Sequence, residues 1–317
     1  MHLIYFMRVF IIASVAQLTW INCASAFTCY DATGNTLNSG AVTATANVYV
    51  NLQPSVAVGQ NLVVDLSSSI FCRNDNPNTR NDNVSMLKGS AYGGVLTNFT
   101  GTMRYYGSSY PFPLNSATGT HNFTSGSYTP WNTQLYLTPL TSAASAAGGI
   151  AIESGTMFAS LVMYQVGSDK TNGGNVRTAT FTWNLYANNS VVVPTGGCDV
   201  SARNVAVTLP EYPGSAVAVP LTVHCGSNQS LSFYLSGNTA TSNDIFLNTY
   251  SGTSTASGVG IQLLRNGNAI PANQNVSLGT VGTSSVSLGL TANYARTSGQ
   301  VIAGGVQSII GVNFVYD

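Results

Sequence analysis

The stretch Pro194-Thr195-Gly196-Gly197-Cys198 divides the chain into two parts. Proline fixes φ and lacks a backbone N–H, whereas the two glycines restore backbone freedom, so regular structure is interrupted here. Strand-like sequence ends just before this stretch at residues 190–193 and resumes just after it at residues 203–209. This pattern is typical of a short linker between two folded parts.

The position of the linker predicts where each folded part begins and ends. We expect a head over residues 27–193, a linker over residues 194–197 and an anchor over residues 198–317. A chain of 317 residues has room for about two domains. With 44% hydrophobic residues, both parts can bury a core of their own.

The composition is unusual in its low charge. Only 6% of the residues are charged and the net charge is +0, against roughly 25% charged residues in typical soluble domains. A neutral chain argues against nucleic acid or an anionic membrane as the partner. The polar surface must therefore consist of hydroxyl and amide side chains, as is common in β-sheet proteins that work outside the cell.

The first 26 residues are typical of a cleaved secretory signal. Arg8 precedes a short apolar run at residues 9–16, and Ala24-Ser25-Ala26 follows as an A-x-A cleavage site. The alternative is a membrane anchor, but the apolar run is shorter than the ~20 residues of a membrane span. Cleavage would make Phe27 the first residue, with a free α-amine.

Four cysteines remain after the signal, namely Cys29, Cys72, Cys198 and Cys225. They allow three pairings, of which Cys29–Cys72 and Cys198–Cys225 are the local choice on either side of the linker. The chain contains no C-x-x-C spacing, so a zinc site is not expected. Disulfides would fit an oxidising compartment such as a periplasm.

Nearly all of the chain after residue 26 consists of short β-rich runs separated by turn residues, which predicts an all-β sandwich or elongated barrel. The anchor contains about six such runs, and the last, residues 306–316, reaches the end of the chain. Because an immunoglobulin-type sandwich has about seven strands, one interpretation is an incomplete sandwich with an open apolar groove. The alternative is that the anchor has a complete set of strands and that the count from the sequence is one too low.

No arrangement of nucleophile, base and metal ligands stands out in the sequence, and G-x-S-x-G and H-E-x-x-H are both absent. The densest polar stretch is residues 72–82, Cys-Arg-Asn-Asp-Asn-Pro-Asn-Thr-Arg-Asn-Asp. Its short amide and carboxyl side chains suit sugar hydroxyls, which both donate and accept. The alternatives are a turn capped by Asx residues and a glycosidase pair formed by Asp75 and Asp82.

Long stretches of the chain resemble the tip adhesins of type 1 fimbriae, the FimH type. They include Asn-Val-Tyr-Val-Asn-Leu at residues 47–52, residues 58–66, residues 89–96 and the linker region at residues 192–203. The resemblance covers essentially the whole chain after the signal. It implies an elongated β-barrel-like lectin head, followed by an immunoglobulin-like pilin domain that lacks its last strand.

The resemblance also implies partners and a location. A periplasmic chaperone lends a strand during secretion through an outer-membrane usher, and the adjacent pilus subunit supplies it in the fibre by donor-strand complementation. The adhesin would sit at the fimbrial tip on the bacterial surface and bind mannosylated host glycoproteins. No cofactor, metal, nucleic acid or enzymatic activity is implied. Separation of the two domains at the linker would switch the head to tight binding.

The family's sugar pocket maps onto this chain one residue at a time. The resemblance implies that Phe27 binds the sugar through its α-amine, and that Asn74, Asp75, Asp82 and Gln165 bind it through hydrogen bonds. Such bonds contribute roughly 0.5–3 kcal/mol each.

The rim of the pocket departs from the family pattern. Asn76 stands where the family has an aromatic residue, and Arg80 stands where it has isoleucine, so the apolar gate for an aglycone is weakened. The loop at residues 167–177 is longer, and its candidate ligands are Asp169, Asn172, Asn175 and Arg177. Gln165 favours mannose, whereas Arg177 resembles an arginine of adhesins that bind galactose and N-acetylgalactosamine. The third alternative is a structural tip subunit that does not bind sugar.

Overall fold

The computed structural model describes residues 27–38, 43–142 and 145–317. Within these ranges the fold is all-β, as expected, and it includes two short 3₁₀ turns at Leu66–Ser68 and Gly94–Leu96. The predicted signal peptide, residues 1–26, lies outside the described residues. In the described ranges, no helix has the length and apolar character that a membrane crossing requires.

The part before the linker is built from short strands joined by tight turns. In chain order these strands are β1 (Phe27–Asp31), β2 (Thr36–Asn38), β3 (Thr43–Val50), β4 (Ser55–Ala57), β5 (Gln60–Asp65), β6 (Ile70–Asn74), β7 (Arg80–Met86), β8 (Ala91–Tyr92), β9 (Gly101–Tyr105), β10 (Ser108–Phe112), β11 (His121–Asn122), β12 (Thr129–Pro130), β13 (Thr133–Leu137), β14 (Gly149–Ile152), β15 (Met157–Asp169), β16 (Arg177–Ala187) and β17 (Val191–Pro194).

These strands form four sheets. The orders are β12-β6-β1-β2, β10-β9-β13-β5-β4, β11-β7-β15-β16-β3 with β8 also paired to β15, and β14-β17. Pairing is antiparallel except between β3 and β16, which run parallel. The long hairpin β15–β16 is central, because β15 pairs with β7 on its other side.

Alternation along the long hairpin explains why it forms. In β16 every second residue points into the core, namely Phe181, Trp183 and Leu185, and the residues between them are half-buried. In β15 the buried series continues from Leu161 and Met163 to a polar residue, Gln165, which is only 8% exposed. Side chains on one face of a strand recur every second residue, so Gln165 lies in the phase of the core.

The part after the linker has smaller sheets. Its strands are β18 (Cys198–Val200), β19 (Val217–Ala218), β20 (Thr222–Cys225), β21 (Gln229–Ser236), β22 (Val259–Arg265), β23 (Asn268–Ala269), β24 (Val276–Val281), β25 (Val286–Ser287), β26 (Leu290–Arg296) and β27 (Gly311–Tyr316). They form three sheets in the orders β18-β20-β25, β19-β26-β22-β23 and β24-β21-β27.

The second part contains the open groove that the strand count suggests. β27, the last strand, pairs with β21 on one side and ends its sheet. Beside it runs a groove of about 1050 Å³ lined by apolar side chains, among them Val205, Leu263, Val312 and Phe314. The expected strand over residues 203–209 is not formed. This segment lies along the groove with no strand pairing in the described part of the chain.

Each part has its own core and its own disulfide. Cys29–Cys72 joins facing positions of β1 and β6, and Cys198–Cys225 joins facing positions of β18 and β20. One cluster of buried side chains lies within residues 27–193, and a second lies within residues 198–292 together with Ala146.

The linker is held from both sides. Asn61 Nδ2 donates to the carbonyl oxygens of Pro194 and Gly196, at 2.9 and 2.7 Å. From the second part, the Tyr316 hydroxyl accepts the Gly197 N–H at 2.8 Å. A side chain on Gly196 is excluded, since its Cβ would lie 1.4 Å from the Ser145 carbonyl oxygen.

Candidate functional site

Four strands bring the predicted site residues to one end of the first part. β1 and β6 pair so that Phe27 lies opposite Asn74. β7 and β15 pair so that Asp82 lies opposite Gly167, and Gln165 is two residues earlier on β15.

Asp82 and Gln165 form the buried centre of this site. Gln165 Nε2 donates to Asp82 Oδ1 at 2.8 Å, and the Asp82 side chain is 0% exposed. Its second oxygen, Oδ2, is also buried and has no hydrogen-bond partner among the described residues. A buried acceptor without a partner is unfavourable, so a hydroxyl that reached this oxygen would be bound favourably.

Burial raises the pKa of Asp82 to about 6, because a carboxylate is poorly stabilised away from water. The hydrogen bond from Gln165 and the positive charge of Arg80 oppose this rise, whereas the negative charge of Asp75 adds to it. Asp82 is therefore largely ionised at neutral pH and titrates in mildly acidic solution.

Asn74 is fully buried and its side chain is already committed. Nδ2 donates to the carbonyl oxygens of Arg80 and Phe123, both at 2.9 Å, and Oδ1 accepts the Asn76 N–H at 2.8 Å. These bonds fix the turn at residues 74–80 and join it to the segment after β11. In this structure Asn74 shapes the site. A ligand could bond to its side chain only through Oδ1, which already accepts the Asn76 N–H.

Asp75 follows in the same turn and is fixed by two neighbours. Its Oδ1 accepts from Arg73 Nε at 2.7 Å, and its Oδ2 accepts from the Thr28 hydroxyl at 2.5 Å. The Asp75 side chain is only 18% exposed, so its carboxylate is held in one direction at the edge of the site. Neither residue was singled out from the sequence: Thr28 lies outside the polar stretch at residues 72–82, and Arg73 lies inside it but was given no role.

Phe27 is anchored through its ring and its carbonyl group. The ring is 1% exposed and packs on Phe123 and Phe181, with ring centroids 4.7 and 6.5 Å away. Its carbonyl oxygen accepts from Asn38 Nδ2 at 3.2 Å. These contacts hold the start of β1 next to Asn74.

The loop between β15 and β16 lies over the turn at residues 76–80. Asp169 forms an ion pair with Arg80, 2.8 Å between Oδ1 and Nη1, and also bonds to Asn175 Nδ2. The other two loop candidates, Asn172 and Arg177, are exposed, and Asn172 Oδ1 caps the loop by accepting the Gly174 N–H. Of the four loop candidates, Asp169 and Asn175 contact Arg80, and Arg177 lies opposite Gly167 on β15.

The end of β11 and the residue after it complete the site, and sequence reasoning missed them. Asn122 Oδ1 accepts the Asp82 N–H at 3.2 Å, and Phe123 N donates to the Asp82 carbonyl oxygen at 2.9 Å. No motif marks these residues: Asn122 contributes its side-chain oxygen, and Phe123 contributes a backbone N–H. These two residues also line a shallow cavity of about 450 Å³. Its lining includes Tyr106 and His121, whose rings stack with centroids 3.4 Å apart.

The chemistry available at the site is hydrogen bonding to a neutral polar ligand. Fixed carboxylates and an amide surround it, and the described residues include no group of three or more His, Cys, Asp or Glu side chains that could hold a metal ion.

Two family models match most of the chain between them. One, described as "FimH, mannose binding", matches residues 29–184, and the other, described as "Fimbrial protein", matches residues 190–317.

Among known proteins, the chain is 58% identical to the type 1 fimbrin D-mannose specific adhesin of Escherichia coli (strain K12), over 98% of this chain and 99% of that protein. It is 38% identical to the S-fimbrial protein subunit SfaH of Escherichia coli O6:K15:H31 (strain 536 / UPEC), over 90% of this chain and 95% of that protein. A solved chaperone–tip adhesion subunit complex of the Csu pili of Acinetobacter baumannii is similar over 90% of this chain and 99% of that chain. Its identity is 10% and its TM-score 0.25, which is too low to support an argument.

Proposed function

This chain belongs to the FimH family of type 1 fimbrial adhesins, proteins of the bacterial cell surface, and we propose that it is a tip lectin that binds terminal mannosides of host glycoproteins. The observation that carries the proposal is the buried pair of Asp82 and Gln165, in which Asp82 Oδ2 has no hydrogen-bond partner within the described ranges. A sugar hydroxyl can donate to this oxygen and so complete the buried polar group.

The other site residues take defined roles in this proposal. Asp75, held by Arg73 and Thr28, accepts from a second hydroxyl at the edge of the site. Cleavage before Phe27 would add an α-amine at the start of β1, a positive donor beside two carboxylates. Asn74 keeps the turn in shape through its three internal hydrogen bonds. Charge-assisted bonds of this kind are about twice as strong as neutral ones.

The domain arrangement supports assembly into a fibre. We assign residues 27–193 to the lectin domain, residues 194–197 to the linker and residues 198–317 to the pilin domain. The groove beside β27 is lined by apolar side chains and suits a donated strand, first from a periplasmic chaperone at the usher and then from the adjacent pilus subunit. The site supplies hydrogen bonds and no activated nucleophile, so the proposed function is binding without catalysis.

Calorimetric titration of the secreted, processed chain with methyl mannoside tests the proposal. Saturable heat is expected, and Asp82→Asn should abolish it because the amide Nδ2 cannot accept the sugar hydroxyl. Asp65→Asn is the matched control, since Asp65 is a half-buried carboxylate outside the site that accepts from Gln134 Nε2 at 2.6 Å. Binding that survives Asp82→Asn contradicts the site.

A titration with N-acetylgalactosamine follows on the same samples. Heat with this sugar and none with mannoside would mean that the loop at residues 167–177 sets a different specificity. No heat with either sugar, from a chain shown to be folded, would favour a structural tip subunit. Release of reducing sugar from a glycoprotein would point to a hydrolase formed by Asp75 and Asp82.

A further inference from the structure

Arg80 is held in an unusual position for a residue at the rim of a binding site. It is the first residue of β7 and lies opposite Asp169 at the end of β15. Its Nη1 bonds Asp169 Oδ1 at 2.8 Å and its Nη2 donates to the Asn175 carbonyl oxygen at 3.1 Å. Only 14% of the side chain is exposed, so this is a partly buried ion pair with two defined hydrogen bonds.

The same contact region contains further ties between the loop and the turn. Lys170 donates its backbone N–H to the Thr79 carbonyl oxygen at 2.8 Å and its ammonium group to the Pro77 carbonyl oxygen at 2.9 Å. Together with the Arg80–Asp169 pair, these bonds fasten the tip of the β15–β16 hairpin onto the turn at residues 76–80. We call this set of contacts the loop latch.

Arg80 also lies beside the buried carboxylate. A Cβ on Gly167 would be 3.3 Å from Arg80 Nη2 and 3.3 Å from Asp82 Oδ1, so the guanidinium and the carboxylate are neighbours across this glycine. A nearby positive charge favours the ionised carboxylate. The other groups that act on Asp82 are the negative Asp75 and the neutral Gln165, with neutral Asn122 on the β11 side. In the processed chain the α-amine of Phe27, at the start of β1, adds a second positive charge to that of Arg80.

We propose that Arg80 has two functions in mannoside binding: it positions the β15–β16 loop over the site through the loop latch, and it keeps Asp82 anionic so that its free oxygen accepts a sugar hydroxyl. This inference rests on the proposed function. It makes Arg80 a positioning residue, and it predicts that binding weakens as the pH falls through the titration of Asp82. Removal of the Arg80 charge should move this weakening to higher pH.

The test is the dissociation constant of methyl mannoside between pH 5 and pH 8, measured by calorimetry on the complete processed chain. In the unchanged chain, affinity should fall as the pH falls through the titration of Asp82, whose pKa is raised by burial and lowered by the positive charges of Arg80 and the Phe27 α-amine. Arg80→Met should move this midpoint to higher pH, and a midpoint that is higher by about one pH unit weakens binding about tenfold at pH values below both midpoints. Arg104→Met, a substitution of an exposed arginine on β9, is the matched control and should change nothing.

Two further variants separate the two functions of Arg80. Asp169→Asn breaks the ion pair but leaves the Arg80 charge, so binding should weaken by a similar factor at every pH with no upward movement of the midpoint. Arg80→Lys keeps the charge and loses the two-pronged contact, so the midpoint should stay near that of the unchanged chain even if Arg80→Met fails to fold.

Midpoints that coincide in the unchanged chain and Arg80→Met overturn the electrostatic function. Equal affinity of Asp169→Asn and the unchanged chain overturns the positioning function. Failure of the proposed function itself is distinguishable, since the unchanged chain would then bind no mannoside at any pH.

Discussion

Replacement of Asp82 by asparagine should stabilise the head while it removes sugar binding. The pKa of Asp82 is raised by burial from 3.8 to about 6. Each pKa unit corresponds to about 1.4 kcal/mol, so the ionised carboxylate destabilises the folded state by about 3 kcal/mol at neutral pH. Asparagine still accepts from Gln165 but leaves its Nδ2 without a partner, at a cost of about 1 kcal/mol, so the net gain is about 2 kcal/mol.

The direction of the pH dependence follows from the raised pKa. A carboxyl group with a folded-state pKa above its unfolded value contributes stability below the unfolded pKa, near 4, and loses it as the pH rises through about 6. The stability difference between Asp82→Asn and the unchanged chain should therefore grow from pH 4 to pH 7 and then level off.

Urea unfolding followed by tryptophan fluorescence measures this difference in the head. Trp131 and Trp183 are both fully buried in the head core, so their emission reports on that part of the chain. Asp65→Asn should instead lower the free energy of unfolding at neutral pH. The hydrogen bonds from Ser67 and Gln134 outweigh the effect of burial and lower the pKa of Asp65. The reasoning would be refuted if the free energy of unfolding changed with pH in the same way in Asp82→Asn and in the unchanged chain.

Three further predictions concern the linker, the second disulfide and the rim. Asn61→Ala removes two buried bonds to linker carbonyl oxygens and should lower the urea unfolding free energy by about 2 kcal/mol, whereas Asn51→Ala, which removes one exposed bond, should cost under about 0.5 kcal/mol. The double substitution Cys198→Ala and Cys225→Ala opens a loop with a sequence separation of 27 and should cost about 3 kcal/mol, seen as a lower calorimetric melting temperature of the second part only. Because Asn76 is exposed where an aromatic rim residue would grip an aglycone, phenyl mannoside should bind less than about tenfold more tightly than methyl mannoside; a hundredfold gain would contradict this view of the rim.

The strands were largely predictable because they are local patterns. The short β-rich runs expected after residue 26 largely form strands, and Gln165 is conspicuous as a polar residue in the buried phase of β15. The prediction of a strand at residues 203–209 was wrong. A β-rich sequence forms a strand only beside a neighbouring strand, and this segment has none within the described residues. Whether a strand forms depends on the groove beside it, which no local pattern reveals.

The residue types of the candidate site follow from the sequence, but their contacts do not. Asp75 and Asp82 belong to a conspicuous polar stretch, but the partner that holds Arg80 is Asp169, 89 positions further along the chain. The commitment of Asn74 to carbonyl groups of Arg80 and Phe123 is also a product of the fold. Contacts of this kind depend on strand register, and register is set by the whole sheet.

The bond between Tyr316 and Gly197 has a mechanical consequence. Tyr316 lies on β27, the strand that borders the open groove, yet its hydroxyl accepts a hydrogen bond from the linker 119 residues earlier in the chain. A pull along β27 therefore reaches the linker by two routes, one through the whole second part and one through this bond. A single hydrogen bond of about 1 kcal/mol is far weaker than a folded core, so a slowly rising load would break this bond before either core yields.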